Sequence, residues 1–280
     1  MTALGIVAGG GELPIAIAES ASEGGKPVFV VALRGIADPD VGRFAHAWVS
    51  LGEIGRMSAL LRENDCGEVL LVGKVSRPKW SDLSFDAKAM LKLPKVMAAA
   101  LKGDDALLRA FVEIIEEDGF RAVSAADAAP GLLATAGVLG RHRPSEQNQA
   151  DIAQAVQIVR ALGALDVGQA AIVCEGLALA VEAAEGTDAM IARAGELPEH
   201  LRGSEARRKG VLVKARKPTQ DGRTDLPVIG TQTVAKAARA GLAGIAVEAG
   251  AALIVNKRAV AEAADKGGLF LFGFEPQQIA

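Results

Sequence analysis

The sequence contains no tyrosine, and aromatic residues make up only 4% of its 280 residues. Proteins that bind single-stranded nucleic acid usually stack bases on aromatic side chains inside a basic groove. The net charge is −3, so the chain also lacks the excess of positive charge that attracts a phosphate backbone. We therefore expect no nucleic-acid partner.

Cysteine and histidine are also scarce. The two cysteines, Cys66 and Cys174, are too few for a disulfide framework or a zinc cluster. Each stands beside an apolar run and is interpreted as a small buried residue. The three histidines are scattered singly, which argues against a histidine-based metal site or catalytic triad.

Long apolar runs are absent as well. Residues 1–7 carry no basic stretch and are followed by three glycines, which is not the pattern of a signal peptide. The apolar stretch 244–255 is shorter than a membrane span and contains Glu248. We expect a cytoplasmic protein that contacts a membrane only peripherally.

The alternation of short apolar runs with helical patterns predicts an α/β fold with two domains. Residues 1–130 are predicted to form a Rossmann-like nucleotide- or substrate-binding domain with a mostly parallel sheet. Residues 131–142, rich in small side chains, are predicted to be a short linker. Residues 143–280 repeat the α/β alternation and are predicted to form the second domain.

The first βαβ unit has a glycine-rich turn after its first strand. An apolar run at 3–8 leads to Gly9-Gly10-Gly11-Glu12 and then to a helical pattern, 15–22. Amides of such a turn can face a phosphate or a sugar. The adjacent glycines differ from the spaced G-x-G-x-x-G fingerprint, and Arg34 follows the second strand where an acidic residue would bind ribose. NAD is therefore disfavoured, and a tight turn without a ligand remains an alternative.

A second candidate contact follows the predicted strand 69–72. Gly73 and Lys74 lie at the end of this strand, and the carboxyl ends of parallel strands meet at one edge of a sheet. Lys74 could contact a phosphate or a ribose there. The alternative is an ordinary solvated lysine.

The richest concentration of charge lies in the loop that follows the predicted strand 211–213. Its cations and carboxylates suit a phosphorylated substrate with a divalent metal, because cations offset phosphate charge and carboxylates hold the ion. The alternative is a solvated turn whose charges pair with one another. The polar residues are Lys214, Arg216, Lys217, Gln220, Asp221, Arg223 and Asp225.

Two predicted helix starts supply further hydroxyl donors. Thr231 stands at the start of the next predicted helix, and Thr187 is predicted to cap the helix that opens at Gly186-Thr187-Asp188. Hydroxyl groups at a helix start favour anion binding.

The segment 80–101 interleaves apolar residues with five lysines if Lys79 and Lys102 at its ends are counted. An apolar stripe beside a basic face suits a helix that lies on an anionic membrane or against acyl chains. The alternative is an amphipathic helix packed on the sheet with its lysines in water.

Several of these motifs together resemble the UDP-2,3-diacylglucosamine pyrophosphatase family of lipid A biosynthesis, the type unrelated to calcineurin-like phosphoesterases. The resemblance extends over nearly the whole chain, in order. It rests on Gly-Gly-Gly-Glu-Leu-Pro at 9–14, Gly-Lys-Val at 73–75, Glu-Gly at 175–176, Glu-Gly-Thr-Asp at 185–188 and Lys-Pro-Thr-Gln-Asp-Gly-Arg-Thr-Asp-Leu-Pro-Val-Ile-Gly at 217–230.

The resemblance implies a Mg²⁺-dependent enzyme in which water attacks the α-phosphorus and releases UMP and 2,3-diacylglucosamine 1-phosphate (lipid X). It implies Asp225 as the critical carboxylate. From the chemistry of diphosphate cleavage we expect Asp225 to bind Mg²⁺ or orient the water, with Asp221 or Asp188 as helper and with Asp225 and Asp221 as the metal ligands. We expect Lys214, Lys217, Arg223 and Thr187 to hold the diphosphate, and Gln220 to contact the sugar or a phosphate oxygen. The remaining expected substrate contacts are Gly10, Gly11 and Lys74, at the UMP end, together with Glu12, Gly73, Asp188 and Thr231.

A substrate with two acyl chains also implies peripheral contact with the inner membrane. The alanine-rich helices are compatible with a homodimer. Two other functions stay open at this point. One is a nucleotide-dependent reductase or UDP-sugar enzyme built on the first domain, and the other is a lipid or nucleotide carrier without catalysis, which would leave Asp221 and Asp225 without a role.

Overall fold

The computed structural model describes residues 2–75, 83–217 and 226–275, with Asp104 and Asp105 described by their backbone alone. These residues form two compact units, one up to Gly131 and one from Leu132 onward. Each unit is an α/β layer structure built on its own sheet, as the α/β prediction requires.

The sheet of the first unit is parallel throughout its described strands. These are β1 (Ala3–Ala8), β2 (Val28–Leu33), β3 (Ala45–Val49), β4 (Cys66–Val72) and β5 (Arg121–Ala122). Their order across the sheet is β3-β2-β1-β4-β5. The order reverses at β1, which places a crevice at its carboxyl end, between β1 and β4.

Helices connect these strands and bury the sheet. They are α1 (Leu13–Glu23), α2 (Ile54–Glu63), α3 (Ala87–Ala100), α4 (Asp104–Glu117) and α5 (Ala125–Ala128), with 3-10 helices at Pro39–Arg43 and Pro130–Leu132. The whole of β1 is buried, as its uninterrupted apolar run predicts. Helix α3 packs one face, Ala89 and Val96, into the core beside α4.

The predicted limits of these elements are close to the observed ones, with instructive differences. Helix α1 begins at Leu13 rather than at residue 15, because Pro14 fits the first turn of a helix, where no amide hydrogen is needed. Strand β5 ends at Ala122, because Ser124 turns the chain into α5 through a capping box with Asp127.

The second unit contains a mixed sheet in the order β6-β13-β11-β9-β7-β8. Its strands are β6 (Gly137–Val138), β7 (Ala170–Cys174), β8 (Leu177–Val181), β9 (Val211–Lys214), β11 (Gly244–Glu248) and β13 (Phe270–Phe274), while β10 (Val228–Ile229) and β12 (Leu253–Ile254) pair separately. Strands β9, β11 and β13 are parallel, whereas β7 runs antiparallel to β9.

Both faces of this sheet are covered, so successive residues of its central strands enter two different cores. The helices are α6 (Glu146–Ala164), α7 (Gly186–Gly195), α8 (Glu199–Arg202), α9 (Thr231–Arg239) and α10 (Lys257–Lys266). Leu212 packs with α7 and α9, while Val211 and Val213 pack under α6. This two-sided burial explains why the strands are continuous apolar runs rather than alternating ones.

The segment predicted to be the linker, 131–142, contains ordered structure. Strand β6 pairs antiparallel with β13, and Leu139 donates its amide hydrogen to the carbonyl of Leu271 at 2.8 Å. The close approach of this segment to β13 requires glycine, because a Cβ at Gly273 would lie 1.9 Å from the carbonyl oxygen of Thr135. The glycines here therefore permit close backbone packing.

No helix within the described part of the chain is long and apolar enough to cross a membrane.

Candidate active site

The carboxyl edge of the first sheet is built from backbone contact between two loops. A Cβ on Gly9 would lie 2.9 Å from the carbonyl carbon of Gly73, and a Cβ on Gly73 would lie 2.7 Å from that of Gly9. Gly73 also has a φ of 102°, which side chains rarely adopt. The turn after β1 and the turn after β4 thus touch, and Gly10 and Lys74 come together as neighbours.

This contact changes the role that Gly10 can have. Its amide hydrogen binds the carbonyl of Lys74 at 2.9 Å, and its carbonyl accepts from the amide of Lys74 at 2.8 Å. The Gly10 amide is therefore committed to the fold and does not face a phosphate. Gly11 and Glu12 are exposed, and Glu12 precedes α1 without capping it through its side chain, so the helix start remains open to an anion.

Lys74 presents an exposed side chain at the same edge. The structure therefore places the predicted contacts Gly10, Gly11, Gly73 and Lys74 together at one edge of the sheet, at the reversal of strand order. The sequence prediction located this edge through the parallel-sheet rule alone.

The carboxyl edge of β9 is built from buried side chains. Lys214 ends β9, paired with Ala170 of β7 on one side and Val247 of β11 on the other. It is only 5% exposed. Its ammonium donates to Thr187 Oγ1 at 2.9 Å and to the carbonyl of Val228 at 3.1 Å, so a buried cation is held by defined acceptors.

Thr187 does not act as the predicted helix cap. The N-cap of α7 is Glu185, and Thr187 lies one residue inside the helix. Its hydroxyl donates to Glu182 Oε1 and accepts from Lys214. A hydroxyl has a single hydrogen, so this side chain has none left for a phosphate oxygen.

Glu182 is a residue that the sequence analysis missed. It is 7% exposed, directly after β8, and its second oxygen, Oε2, accepts from the amide of Gln169 at 3.0 Å. The available signal was an acidic residue closing the apolar run of β8. The Gln169 side-chain oxygen is buried beside it, without a hydrogen-bond partner among the described residues.

Other predicted residues lie around the same edge in ion pairs or at element ends. Lys217 binds Asp166 at 2.6 Å, and Asp188 binds Lys236 at 2.6 Å. Thr231 is the first residue of α9, after the cap residue Gly230. Lys217, Asp188 and Thr231 are all partly buried, at the margin of the site.

Four predicted residues, Gln220, Asp221, Arg223 and Asp225, lie outside the described residues. Within residues 2–75, 83–217 and 226–275, no group of three or more His, Cys, Asp or Glu side chains could hold a metal ion. The cysteines contribute no reactive thiol, because burial raises the pKa of both Cys66 and Cys174 to about 11.

The Glu-Gly motif at 175–176, which is part of the family resemblance, stabilises a turn of the fold. Glu175 and Gly176 form the β7–β8 turn with positive φ values, and the buried carboxylate of Asp151 accepts from both of their amides at 3.0 and 2.9 Å. Because β7 is antiparallel to β9, this turn lies at the opposite end of the sheet from Lys214.

Comparison with known proteins identifies relatives over the whole chain. Residues 3–132 match the family model of the LpxI N-terminal domain, and residues 135–272 match that of the LpxI C-terminal domain. A UDP-2,3-diacylglucosamine pyrophosphatase LpxI of Caulobacter vibrioides is 47% identical over 278 residues, which cover 99% of each chain.

A solved structure of UDP-glucose-4-epimerase (galE) from Stenotrophomonas maltophila is also similar in part. It is 21% identical, and the match covers 43% of this chain and 35% of the epimerase. The TM-score is 0.27, so this likeness carries no argument about fold or function.

Proposed function

The chain belongs to the LpxI family, and from this premise we propose that it hydrolyses the diphosphate of UDP-2,3-diacylglucosamine in lipid A biosynthesis. The observation that carries the proposal is the pyrophosphatase of Caulobacter vibrioides, 47% identical over 99% of both chains. The charged carboxyl edge of β9 supports it, because diphosphate cleavage needs fixed positive charge near the reacting oxygens.

In the proposed reaction, the oxygen of a water molecule forms a bond to the α-phosphorus. The bond from this phosphorus to the bridging oxygen breaks, and the lipid phosphate leaves with the electron pair. The products are UMP and 2,3-diacylglucosamine 1-phosphate. Lys214 stabilises negative charge from a fixed position at the end of β9, and Lys217, Arg223 and Gln220 add contacts to the diphosphate and sugar.

Asp225, with Asp221, is proposed to orient the water and to hold Mg²⁺. Mg²⁺ usually keeps several waters and binds one or two carboxylates together with substrate phosphates, so it does not need a cage of protein ligands. Two aspartates in the sequence Asp-Gly-Arg-Thr-Asp supply such a donor set. When bound, the ion would neutralise charge on the diphosphate oxygens.

The crevice of the first sheet is proposed to bind the UMP end. Gly11, Glu12 and the start of α1 offer backbone amides, and Lys74 offers an exposed ammonium. Gly10 and Gly73 serve by letting the two loops touch. The crevice at the reversal of strand order is where doubly wound sheets commonly bind nucleotides.

Incubation with UDP-2,3-diacylglucosamine in water labelled with ¹⁸O tests the reaction. Label in UMP is expected, because the α-phosphorus receives the water oxygen. Label in the lipid phosphate would instead locate the attack on the β-phosphorus. Binding of the substrate without any release of UMP would overturn the hydrolase and favour a carrier.

The exposed face of α3 is proposed to contact the membrane that holds the substrate. Leu91 is 80% exposed and Leu101 is 90% exposed, with Met90 and Met97 on the same side. Such an apolar face suits insertion at a bilayer surface. The substrate's two acyl chains give the enzyme a reason to bind there.

The lysines of α3 contribute less to this contact than the sequence suggests. Lys92 binds Glu117 of α4 at 2.5 Å, Lys95 binds Glu113 at 2.7 Å, and Lys88 pairs with Asp118. Because α4 neutralises these cations, we expect membrane binding to depend on the apolar side chains more than on lipid charge.

Flotation with vesicles of phosphatidylethanolamine and phosphatidylglycerol tests this contact. Burial of a leucine side chain contributes about 1.5–3 kcal/mol, so Leu91→Glu with Leu101→Glu should lower the partition coefficient by about tenfold or more. Leu165→Glu, at a residue 76% exposed in the second unit, is the matched control. Unchanged flotation of the double variant would exclude α3 as the contact.

A further inference from the structure

We propose that Glu182 is a positioning residue for hydrolysis, which fixes the ammonium of Lys214 through the hydroxyl of Thr187. This inference rests on the proposed function, since it assigns Lys214 to the diphosphate. It adds to that function a buried carboxylate that does not itself reach the reacting atoms.

The three side chains form one chain of hydrogen bonds. Lys214 Nζ lies 2.9 Å from Thr187 Oγ1, and Thr187 Oγ1 is in turn bonded to Glu182 Oε1. The other carboxylate oxygen, Oε2, accepts from the amide of Gln169 at 3.0 Å. Each end of the chain is attached to the sheet, Lys214 by β9 and Glu182 by its position directly after β8.

The chemistry of the groups determines the direction of every bond. An ammonium only donates and an ionised carboxylate only accepts, so the hydroxyl between them must accept from Lys214 and donate to Glu182. Two donors of Lys214 are then directed to Thr187 Oγ1 and the carbonyl of Val228. With two directions fixed, the orientation of the ammonium is fixed as well.

Burial makes this arrangement sensitive to small changes. Lys214 is 5% exposed and Glu182 is 7% exposed, so water cannot readily replace a lost partner. In the low-dielectric surroundings of a buried network, the carboxylate also stabilises the cation electrostatically, although the hydroxyl stands between them.

Glu182→Gln keeps the size of the side chain but breaks the chain of bonds. If the amide oxygen accepts from Gln169, the amide nitrogen faces Thr187, and the threonine hydroxyl loses its acceptor. If the amide is turned round, its nitrogen faces the Gln169 amide hydrogen, donor against donor. In either orientation Lys214 loses the anion behind Thr187.

The expected effect is on turnover rather than on substrate capture. A displacement of about 1 Å in a catalytic group can lower the rate by about a hundredfold, so Glu182→Gln should lower kcat by roughly ten- to a hundredfold with a smaller change in KM. Thr187→Val, which removes the hydroxyl, should have a similar effect. Thr187→Ser, which keeps it, should restore most of the rate.

The double variant separates a shared path from two independent defects. If Glu182 acts through Thr187, the change in kcat for Glu182→Gln with Thr187→Val should be close to that of one single variant. Multiplied effects would overturn the proposed path.

Asp151→Asn is the matched control for a merely structural effect. Asp151 is another buried carboxylate of the second unit, and it holds two backbone amides at the opposite end of the sheet. We expect this variant to lower the melting temperature while leaving kcat within about twofold of the native enzyme. A kcat as low as that of Glu182→Gln would overturn the positioning role.

The labelling rate of Lys214 by an amine-acylating reagent, read by mass spectrometry, tests the network independently of turnover. Glu182→Gln and Thr187→Val should increase the rate several-fold, and Asp151→Asn should not. An unchanged rate with native kcat would overturn the inference. If the native enzyme released no UMP, the proposed function would fail, while this labelling would still decide whether Glu182 holds Lys214.

Discussion

The carboxyl edges of the two sheets are built from different parts of the chain. The edge of the first sheet is made of backbone, with Gly9 against Gly73 and an exposed Lys74 beside them. The edge of the second sheet is made of side chains, with Lys214 buried behind Thr187 and Glu182. A backbone-built edge is sensitive to any added carbon atom, whereas a side-chain-built edge is sensitive to polarity. The first arrangement suits binding and the second suits chemistry.

The largest expected effect concerns the proposed hydrolysis itself. Asp225→Ala should lower kcat by about a thousandfold or more while substrate still binds, because charge stabilisation at the reacting oxygens contributes on this scale. Chelation should stop the native enzyme, and added Mg²⁺ should restore it but not the variant. Equilibrium binding and UMP release measure the two quantities. Glu262→Gln, on the exposed surface of α10, is the control, and native turnover by Asp225→Ala would contradict the assignment.

The next effect tests the backbone-built edge. Gly73→Ala should destabilise the first unit by about 1–3 kcal/mol from its positive φ alone, and further through the contact with Gly9. Chemical denaturation measures this loss. Gly25→Ala has a similar φ of 78° but no atom within 4 Å of the added carbon, so the difference between the variants isolates the contact. Equal losses would mean that the loops do not need to touch.

A smaller effect is expected from Lys74 at the same edge, where a substitution should change UMP binding but not stability. Lys74→Ala should weaken UMP binding by about tenfold, since a hydrogen bond to a charged group contributes about 1.5–3 kcal/mol. Its melting temperature should not change, because the side chain is exposed. Titration calorimetry with UMP gives the affinity. Native affinity would remove Lys74 from the nucleotide site.

The smallest effect is expected from the ion pairs between α3 and α4. These pairs are exposed, and they are strengthened neither by burial nor by close backbone packing. Hydrogen bonds from Lys92 and Lys95 lower the pKa of Glu117 from 4.5 to about 2. Its contribution to stability is therefore present above pH 4.5 and disappears as pH falls towards 2. The melting temperature of native protein minus that of Glu117→Gln should shrink over this range. A difference independent of pH would show that the pairs do not stabilise the fold.

The sequence predicted most of the scaffold because buried strands have a local signal. The run Ala3–Ala8 was predicted to the residue, and the run at Val211–Lys214 was predicted except for its final lysine. In both runs the apolar residues follow one another without alternation, because both faces of each sheet are covered. The start of α1 was predicted less well, at residue 15 rather than Leu13, since Pro14 fits the first turn of the helix.

The site was predictable only in part. Lys214 was identified from its place at the end of a strand, but Glu182 is 32 residues away in the sequence and reaches Thr187 only through the β8–α7 turn. The one local signal, an acidic residue that closes the apolar run of β8, does not distinguish Glu182 from a solvated glutamate. Thr187 was interpreted as a donor to phosphate because pattern alone does not show where its hydrogen points.

The position of β13 has a consequence for synthesis of the protein on the ribosome. The first sheet is complete once residue 122 has emerged, because its described strands all precede that point. In the second sheet, β13 lies between β6 and β11, so residues 137–138 must wait for residues 270–274 before they can pair. Nascent chains with a finished first unit will therefore carry an incomplete second sheet, whose open strand edge is vulnerable to aggregation until residues 270–274 have emerged.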